Sequence, residues 1–454
     1  MDRLDISSAQ SVCSAPHAQL EIRGAAAYRS RFSQLWTTAV TVAVVALGAP
    51  ASSATLPAYT GDGGVPPFYV WGSSVAQAPG TMLRHEALPA NLALEDAASS
   101  ERILYISTDG VGGSLKTAVS GTVYTPKGSP PDGGWPVVAW AHGTVGIADV
   151  CAPSFRGWLR RDRAYLNSWL AAGYAVVASD YQGLGTPGVH PYMLSRPEAY
   201  GVLDAVRAAR VTYGFSNRVL LVGQSQGSAA ALRAAYEAPQ YAPDIGVRGV
   251  VATGLVIALA KPVSGAPQVP IPAYAGGGAY DAAYSILYLL GMDQLLDPSL
   301  SIDDEVTAKG RPLIATATTA CLTQLFQVAT ANDLDPSNAF TADRARLIPI
   351  EDAAQAFPGA MFAVPVFTGT GLADNEAGTA GQYDFISDLC AAGTDVSWHY
   401  YPGLTHNGAV NASLADSLPF AHAVIAGSAV ASNCAALAPP GPLQTPTPGV
   451  PYND

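Results

Sequence analysis

A serine between two glycines is the most informative feature of the chain. It lies in Gly223–Gly227, which follows the pattern G-x-S-x-G, with a strand-like run (Arg218–Val222) before it and a helix-like run (Ser228–Ala235) after it. A sharp strand-to-helix turn of this kind lifts the serine hydroxyl to the top of a sheet, and its glycines leave room where a Cβ would collide with neighbouring elements. We therefore predict that Ser225 is a nucleophile and that the backbone N–H of Gln226 points at the reacting atom.

A serine hydroxyl is a weak nucleophile at neutral pH, so it needs a base and a third group that orients the base. His406 is the best candidate base because it follows a predicted strand in a loop flanked by glycines. Asp374 is the best candidate acid, since it follows the preceding predicted strand; Glu376 is the fallback. Serine, acid and histidine then occur in the chain order that this kind of turn requires. The weaker histidines are His399, inside a predicted strand, and His422, inside a predicted helix.

Negative charge that develops on a reacting carbonyl oxygen needs hydrogen-bond donors. Gln226 supplies one such N–H. The second is expected from the loop after the apolar run Trp135–Ala141, where we favour the N–H of Thr144 and keep that of Gly143 as the alternative. His142 precedes the serine in the chain and is expected to have another role.

Composition bounds the class of protein. The 454 residues are 49% hydrophobic and 13% charged, so the chain can bury a large core, as one α/β domain with a sizeable insertion or as two domains. The net charge of −12 disfavours nucleic acid as a partner. No cysteine pair has zinc-type spacing, no H-E-x-x-H occurs, and Asp333–Asn338 resembles a turn more than a calcium loop. We predict neither a metal nor an organic cofactor.

The first 54 residues are predicted to be a signal peptide with an upstream segment. Arg29 and Arg31 precede a short apolar stretch, Leu35–Gly48, which ends in the small residues 49–54. An uncleaved membrane anchor is the alternative, although the apolar stretch is short for a membrane span. The protein is therefore expected to be secreted, either extracellular or periplasmic. An even number of cysteines in an exported chain predicts two disulfides, with three alternative pairings among Cys151, Cys321, Cys390 and Cys434.

Strand-like and helix-like segments alternate along most of the chain, which predicts an α/β fold with a mostly parallel sheet flanked by helices. Turn residues between the second and third strands predict an antiparallel meander at the start. The predicted strands are Met82–Leu88, Arg102–Ser107, Ala118–Tyr124, Trp135–Ala141, Tyr174–Ser179, Arg218–Val222, Val247–Thr253, Phe362–Thr368 and Val396–Tyr401. The predicted helices are Arg163–Ala172, Pro197–Ala209, Ser225–Ala238, Gly381–Ala392 and Leu414–Ile425.

A long interruption divides this pattern. Residues 55–256 are predicted to form the first part of the core, 257–356 a helical cap or lid insertion, and 357–437 the second part of the core. Aromatic and aliphatic residues recur at helical spacing in Tyr280–Leu290, which is expected to be the core of the insertion, the underside of a cap that holds substrate, or both. The Pro-rich tail, 438–454, is expected to be extended or disordered.

Several further motifs carry a family resemblance: Pro66–Tyr69, Ser120–Val123, Cys151–Ser154, Tyr181–Gly185 and His190–Tyr192. Together with the serine turn and the acid and histidine loops, they make residues 65–435 resemble the secretory lipases of the lipase A type, which have the α/β-hydrolase fold. The resemblance implies a catalytic triad of Ser225, Asp374 and His406, with Gln226 and Thr144 (or Gly143) as oxyanion donors. It also implies the disulfides Cys151–Cys321 and Cys390–Cys434.

These observations together predict a secreted serine carboxylester hydrolase, a lipase or esterase that works through an acyl-enzyme. The expected partner is an ester or lipid substrate, with a lipid–water interface as one expected setting. The first alternative keeps the triad in an acyltransferase, or in an esterase acting on plant or polymer esters. The second alternative is a hydrolase-like binding protein without turnover.

Overall fold

The structure, a computed structural model, describes residues 64–113, 115–271 and 278–453. The predicted signal peptide lies outside these ranges. Within them, no helix combines the length and the apolar character that crossing a bilayer requires.

Within the described ranges, nine strands form one sheet, and each corresponds to a predicted strand. Their order across the sheet is β1-β2-β3-β5-β4-β6-β7-β8-β9. They are β1 (Met82–Ala87), β2 (Ala97–Thr108), β3 (Lys116–Pro126), β4 (Val137–Ala141), β5 (Ala175–Ser179), β6 (Val219–Gln224), β7 (Val247–Thr253), β8 (Val366–Gly371) and β9 (Val396–Tyr401).

The sheet is mostly parallel, as the sequence predicted. The pairs β1/β2, β2/β3 and β3/β5 are antiparallel, so the expected meander is present. From β5 to β9 every neighbouring pair is parallel. The chain leaves β4 in one direction to form β5 and returns past it to form β6, so the strand order reverses between β4 and β6. Ligands of open α/β sheets bind at the carboxyl ends of strands beside such a reversal.

Because helices pack on both faces of the sheet, its short parallel strands such as β4 and β5 are buried on both sides. Val138 and Trp140 of β4 belong to one hydrophobic cluster, whereas Val137 and Ala139 belong to another. The helices outside the long interruption are α1 (Pro153–Arg156), α2 (Arg160–Ala171), α3 (Ser195–Tyr213), α4 (Gln226–Tyr241), α12 (Thr379–Ala391), α13 (Gly408–Ala412) and α14 (Leu414–Ala426).

The interruption between β7 and β8 is helical and has its own hydrophobic cluster. That cluster also includes Ile147 and Tyr192–Leu194 from the first part of the core. The helices of this segment are α5 (Ala279–Tyr288), a π-helical turn (Leu289–Asp293), α6 (Gln294–Leu296), α7 (Ile302–Glu305), α8 (Arg311–Ala317), α9 (Leu322–Ala331), α10 (Pro336–Ala339) and α11 (Ile348–Gln355).

Several boundaries differ from the prediction; β2, for example, begins at Ala97 rather than Arg102, and α3 ends at Tyr213 rather than Ala209. Strand β8 begins at Val366 rather than Phe362, because Pro365 has no N–H to donate to a ladder and contributes only its carbonyl, which accepts from Val250. The Asp-rich stretch that resembled a calcium loop is a helix start: Asp335 caps α10 and accepts the N–H of Asn338. Among the described residues, no cluster of metal-ligating side chains occurs.

The Pro-rich tail runs along the loop between β9 and α13. The amide N–H of Gln444 donates to the carbonyl of Leu372 at 2.8 Å, and its side chain accepts the N–H of Gly403 at 2.8 Å. The side chain of Asn453 accepts the N–H of Thr405 at 2.7 Å and donates to the carbonyl of Gly403 at 2.9 Å. The tail is thus tied to that loop itself, at Gly403 and Thr405, and to the residue that follows β8, Leu372.

Candidate active site

The turn at Ser225 has the strained geometry expected of a nucleophile presented at a sheet edge. Ser225 lies between β6 and α4 with φ 57° and ψ −127°, outside the regions that non-glycine residues ordinarily occupy. A Cβ on Gly223 would lie 1.9 Å from the carbonyl oxygen of Gly227, and one on Gly227 would lie 1.9 Å from that of Ala141. Both glycines are therefore required for the close approach of β4, β6 and α4. The serine itself is only partly buried, so a substrate can reach it.

Asp374 and His406 meet at the ends of β8 and β9. The Nδ1–H of His406 donates to Oδ2 of Asp374 at 2.8 Å, and both side chains are buried. Burial alone would raise the pKa of Asp374, but His406, the Ala377 N–H and the Gln382 amide hold it below its ordinary value. Burial would likewise lower the pKa of His406, yet the Asp374 carboxylate raises it above its ordinary value. This hydrogen bond leaves Nε2 of the neutral ring as an acceptor.

The histidine ring and Ser225 border the same end of β7. The N–H of Ser225 donates to the carbonyl of Thr253 at 3.1 Å. The next residue, Gly254, has φ 57° and faces the ring so closely that a Cβ there would lie 2.6 Å from Cε1 of His406. The structure therefore brings all three predicted triad residues to the carboxyl edge of neighbouring strands β6, β7, β8 and β9.

The side chains of the alternative acid and histidines make other contacts. Glu376 is exposed, and its side chain accepts a 3.4 Å hydrogen bond from Tyr284 of α5. His399 stacks on Phe367 and His422 stacks on Tyr174, so both rings serve packing.

The loop after β4, residues 142–148 (the β4 loop), lies beside Ser225. A Cβ on Gly143 would be 3.4 Å from Cβ of Ser225, which places Gly143 and Thr144 next to the turn. The N–H of Gln226, the first residue of α4, has no acceptor within its helix. His142 is buried, and its Nδ1 donates to the carbonyl of Gly143 at 2.8 Å, so it shapes this loop.

Two glutamines at the site have roles that the motifs did not reveal. Gln382 of α12 donates to Oδ2 of Asp374 at 2.8 Å, while its own oxygen accepts the N–H of Leu255 and the hydroxyl of Thr370. The side chain of Gln226 points into the protein and is buried. Neither role could be predicted from the sequence, because no local pattern connects a glutamine to a partner on another element.

The four cysteines among the described residues form two disulfides. Cys151 pairs with Cys321, which joins the segment just after the β4 loop to the start of α9; we call this the insertion disulfide. Next to it, the N–H of Leu322 donates to the carbonyl of Val145 in the β4 loop at 2.9 Å. Cys390 pairs with Cys434, and we call this the C-terminal disulfide.

The chain is similar to known lipases and esterases. Residues 159–277, which include the serine turn, match the sequence model of the secretory lipase family. Lipase A of Arthroderma benhamiae is 25% identical over 239 residues, which is 48% of this chain and 47% of that protein. Lipase 7 of Candida albicans is 33% identical over 102 residues, 21% of this chain and 23% of that protein. The chain therefore spans less than half the length of each of these relatives.

Solved structures show the same fold. Candida antarctica lipase A superposes with a TM-score of 0.64 at 20% identity, covering 84% of this chain and 89% of that one. The rice cell wall degrading esterase LipA from Xanthomonas oryzae superposes with a TM-score of 0.56 at 19% identity, covering 77% and 97%. The resemblance predicted from the sequence is confirmed: the chain is similar to the secretory lipases and has the α/β-hydrolase fold.

Proposed function

We propose that the protein is a secreted serine carboxylester hydrolase of the lipase or esterase type. Ser225 attacks the ester carbonyl, His406 accepts its proton at Nε2 and returns it to the leaving alcohol, and Asp374 orients the ring. The acyl group bound to Ser225 is then released by water, which His406 activates in the same way. The observation that carries the proposal is the buried Asp374–His406 hydrogen bond of 2.8 Å beside the strained serine turn.

Two backbone donors stabilise the oxyanion in this proposal. The N–H of Gln226 is one and the N–H of Thr144 is the other, with Gly143 as the alternative to Thr144. Donors fixed before the reaction need no reorganisation as the charge develops, and removing one such donor typically costs about 10² to 10³ in rate. Thr144 is itself held, because its hydroxyl lies 3.0 Å from that of Tyr192.

The helical insertion is proposed to be a cap that supplies the acyl-binding surface. It contacts three loops of the site: the β4 loop through Leu322, the segment at Tyr192 through the carbonyl of Gly291 (3.1 Å), and the acid loop through Tyr284. Tyr284 of α5, which contacts Glu376, also packs edge to face on Phe326 of α9. An apolar wall of this kind favours an acyl chain as the bound group.

Substitution of Ser225 by alanine tests the mechanism. The variant should hydrolyse no p-nitrophenyl acetate above background and should bind no fluorophosphonate probe, while its thermal unfolding matches that of the wild type. Retained hydrolysis in the folded variant would exclude Ser225 as the nucleophile. A wild-type protein that is folded yet neither labelled nor active would favour a binding protein.

A series of p-nitrophenyl esters from acetate to palmitate then defines the substrate class. Activity on long chains that rises above the solubility limit would indicate a lipase at a lipid–water interface, whereas activity confined to short chains would indicate an esterase. Product analysis with an alcohol competing against water distinguishes the acyltransferase alternative. Release of acyl groups from plant cell-wall material would favour the plant-ester alternative, for which the Xanthomonas oryzae esterase is the structural precedent.

A further inference from the structure

The side chain of Gln226 ends in a buried polar cluster behind the proposed oxyanion site. Its amide donates to Oε1 of Glu198 at 2.7 Å and to Nε2 of His190 at 3.0 Å. The Nδ1–H of His190 donates in turn to the carbonyl of Gln182 at 3.0 Å, so the ring is the tautomer whose Nε2 accepts. Gln226, Glu198 and His190 are each 1% exposed or less. We call these three side chains the Gln226 cluster.

The Gln226 cluster is also connected to the β4 loop, which supplies the second proposed oxyanion donor. The ring of His190 stacks on that of Tyr181 at 8°, and the hydroxyl of Tyr181 donates to the carbonyl of His142 at 2.9 Å. Two residues beyond His190, the hydroxyl of Tyr192 lies 3.0 Å from that of Thr144. The segment His190–Tyr192 therefore contacts both Gln226 and Thr144, whose N–H groups are proposed to bind the oxyanion.

Backbone strain occurs around the cluster as well. Ser225, Tyr181 and Met193 all have positive φ, at 57°, 75° and 60°. The N–H of Met193 is directed at the Glu198 carboxyl group, whose pKa its hydrogen bond lowers. Non-glycine residues keep such conformations only where the surroundings impose them, and they concentrate at functional sites.

We propose that Glu198 and His190 are positioning residues, which hold the side chain of Gln226 and thereby fix the direction of its backbone N–H toward the reacting carbonyl. The proposal rests on the proposed ester hydrolysis, because it assigns these residues to the oxyanion donor of that reaction. Because Glu198 and His190 hold the side-chain amide of Gln226, the first turn of α4 cannot rotate the backbone N–H of Gln226 away from Ser225. The hydrogen bond from Tyr181 to the carbonyl of His142 connects the second donor, in the β4 loop, to the same cluster.

At neutral pH, Glu198 accepts the hydrogen bond from the Gln226 amide as a neutral carboxylic acid. Burial raises the pKa of Glu198 to about 8, and burial lowers the pKa of His190 to about 4. Above pH 8 the ionised carboxylate would add a negative charge behind the oxyanion and oppose its formation. The titratable groups that face Glu198 from neighbouring elements are all neutral in this range: His190, Tyr181, Tyr192 and Tyr288.

Three glutamate variants of the full chain test the proposal with p-nitrophenyl acetate. Glu198→Ala should lower kcat about 10-fold or more at pH 7 with little change in KM, since a misdirected donor acts mainly in the transition state. Glu198→Gln copies the neutral acid, so it should keep kcat within about 3-fold at pH 7 and lose the wild-type decline above pH 8. Glu237→Gln is the matched control, because Glu237 lies on α4 but pairs with Arg233, and it should behave like the wild type.

His190→Phe keeps a ring against Tyr181 but removes the acceptor for the Gln226 amide, and it should also lower kcat rather than raise KM. Thermal unfolding and fluorophosphonate labelling of Ser225 verify that each variant is folded with a competent serine. The proposal is overturned if folded Glu198→Ala and His190→Phe keep wild-type kcat, or if Glu198→Gln retains the alkaline decline. Because the wild type must itself be labelled and active, failure of the ester hydrolase assignment would be seen separately.

Discussion

Gly254 controls the position of the catalytic histidine in the proposed mechanism, and replacing it by alanine should disable the site without unfolding the protein. A Cβ at this position would lie 2.6 Å from Cε1 and 2.7 Å from Nδ1 of His406, whereas ordinary van der Waals contact begins at 3.4 Å. The ring must therefore retreat by 3.4 − 2.6 = 0.8 Å at Cε1. A shift of this size either lengthens the 2.8 Å bond to Asp374 or turns Nε2 away from Ser225.

Displacement of a catalytic group by about 1 Å can cost about 10² in rate, so we expect Gly254→Ala to lower kcat by about 10². Gly214→Ala is the matched control: Gly214 also has positive φ, at 69°, but a Cβ there would meet nothing within 4 Å. Both variants carry the strain of alanine at positive φ, about 1 to 2 kcal/mol, so both unfolding temperatures should fall; that of Gly254→Ala should fall further because the ring must also move.

The assay compares kcat for p-nitrophenyl acetate and the rate of fluorophosphonate labelling in the two variants and the wild type. Gly214→Ala should remain active and Gly254→Ala should be slow in both measurements. If folded Gly254→Ala keeps more than about a third of the wild-type kcat, the ring tolerates the methyl group and its close contact with Gly254 does not position it.

Three further outcomes are expected. Because the Asp374 carboxylate raises the pKa of His406 above its ordinary value, kcat/KM should fall with decreasing pH along a limb centred above about pH 6.5, and a flat profile from pH 5 to 8 would contradict a histidine base. Asn453→Ala removes the acceptor for the N–H of Thr405, next to His406, and should lower kcat about 10-fold. Asn217→Ala is the control, because it removes the acceptor for the N–H of Gly246, far from the site, and should leave kcat unchanged. Equal kcat values for the two variants would contradict a role for the tail. Replacing both cysteines of either disulfide by serine should cost about 2 to 5 kcal/mol of stability, measured by denaturant unfolding, but only loss of the insertion disulfide should also lower kcat, because it anchors the β4 loop.

All nine strands could be located from the sequence, and the central strands β4, β5 and β6 most closely, because they are short apolar runs bounded by turn residues. The predicted start of β8 at Phe362 was wrong because the apolar stretch continues across Pro365, which has no N–H and cannot donate to the strand ladder. The positions of Ser225, Asp374 and His406 followed from chain order, since each comes directly after a parallel strand and all such ends meet at one edge.

The supporting contacts could not be predicted in the same way. The partners of the Gln226 side chain lie 28 and 36 residues away along the chain, and they meet only after α3 packs against α4. The motif predicted a use for the backbone of Gln226, but it carries no information about where the side chain points. Likewise, proline content predicted an extended tail, but the contacts of Asn453 depend on the fold of the loop that the tail follows.

The tail has a consequence for the order in which the protein matures. Asn453 lies 453 − 406 = 47 residues after His406, yet it holds the N–H of Thr405, the residue just before that histidine. Synthesis proceeds from the amino terminus, so the sheet, the serine turn and the loop that carries Asp374 can all form while this support is still missing. In the proposed mechanism, the loop that carries His406 therefore gains this support only once residue 453 has been synthesised.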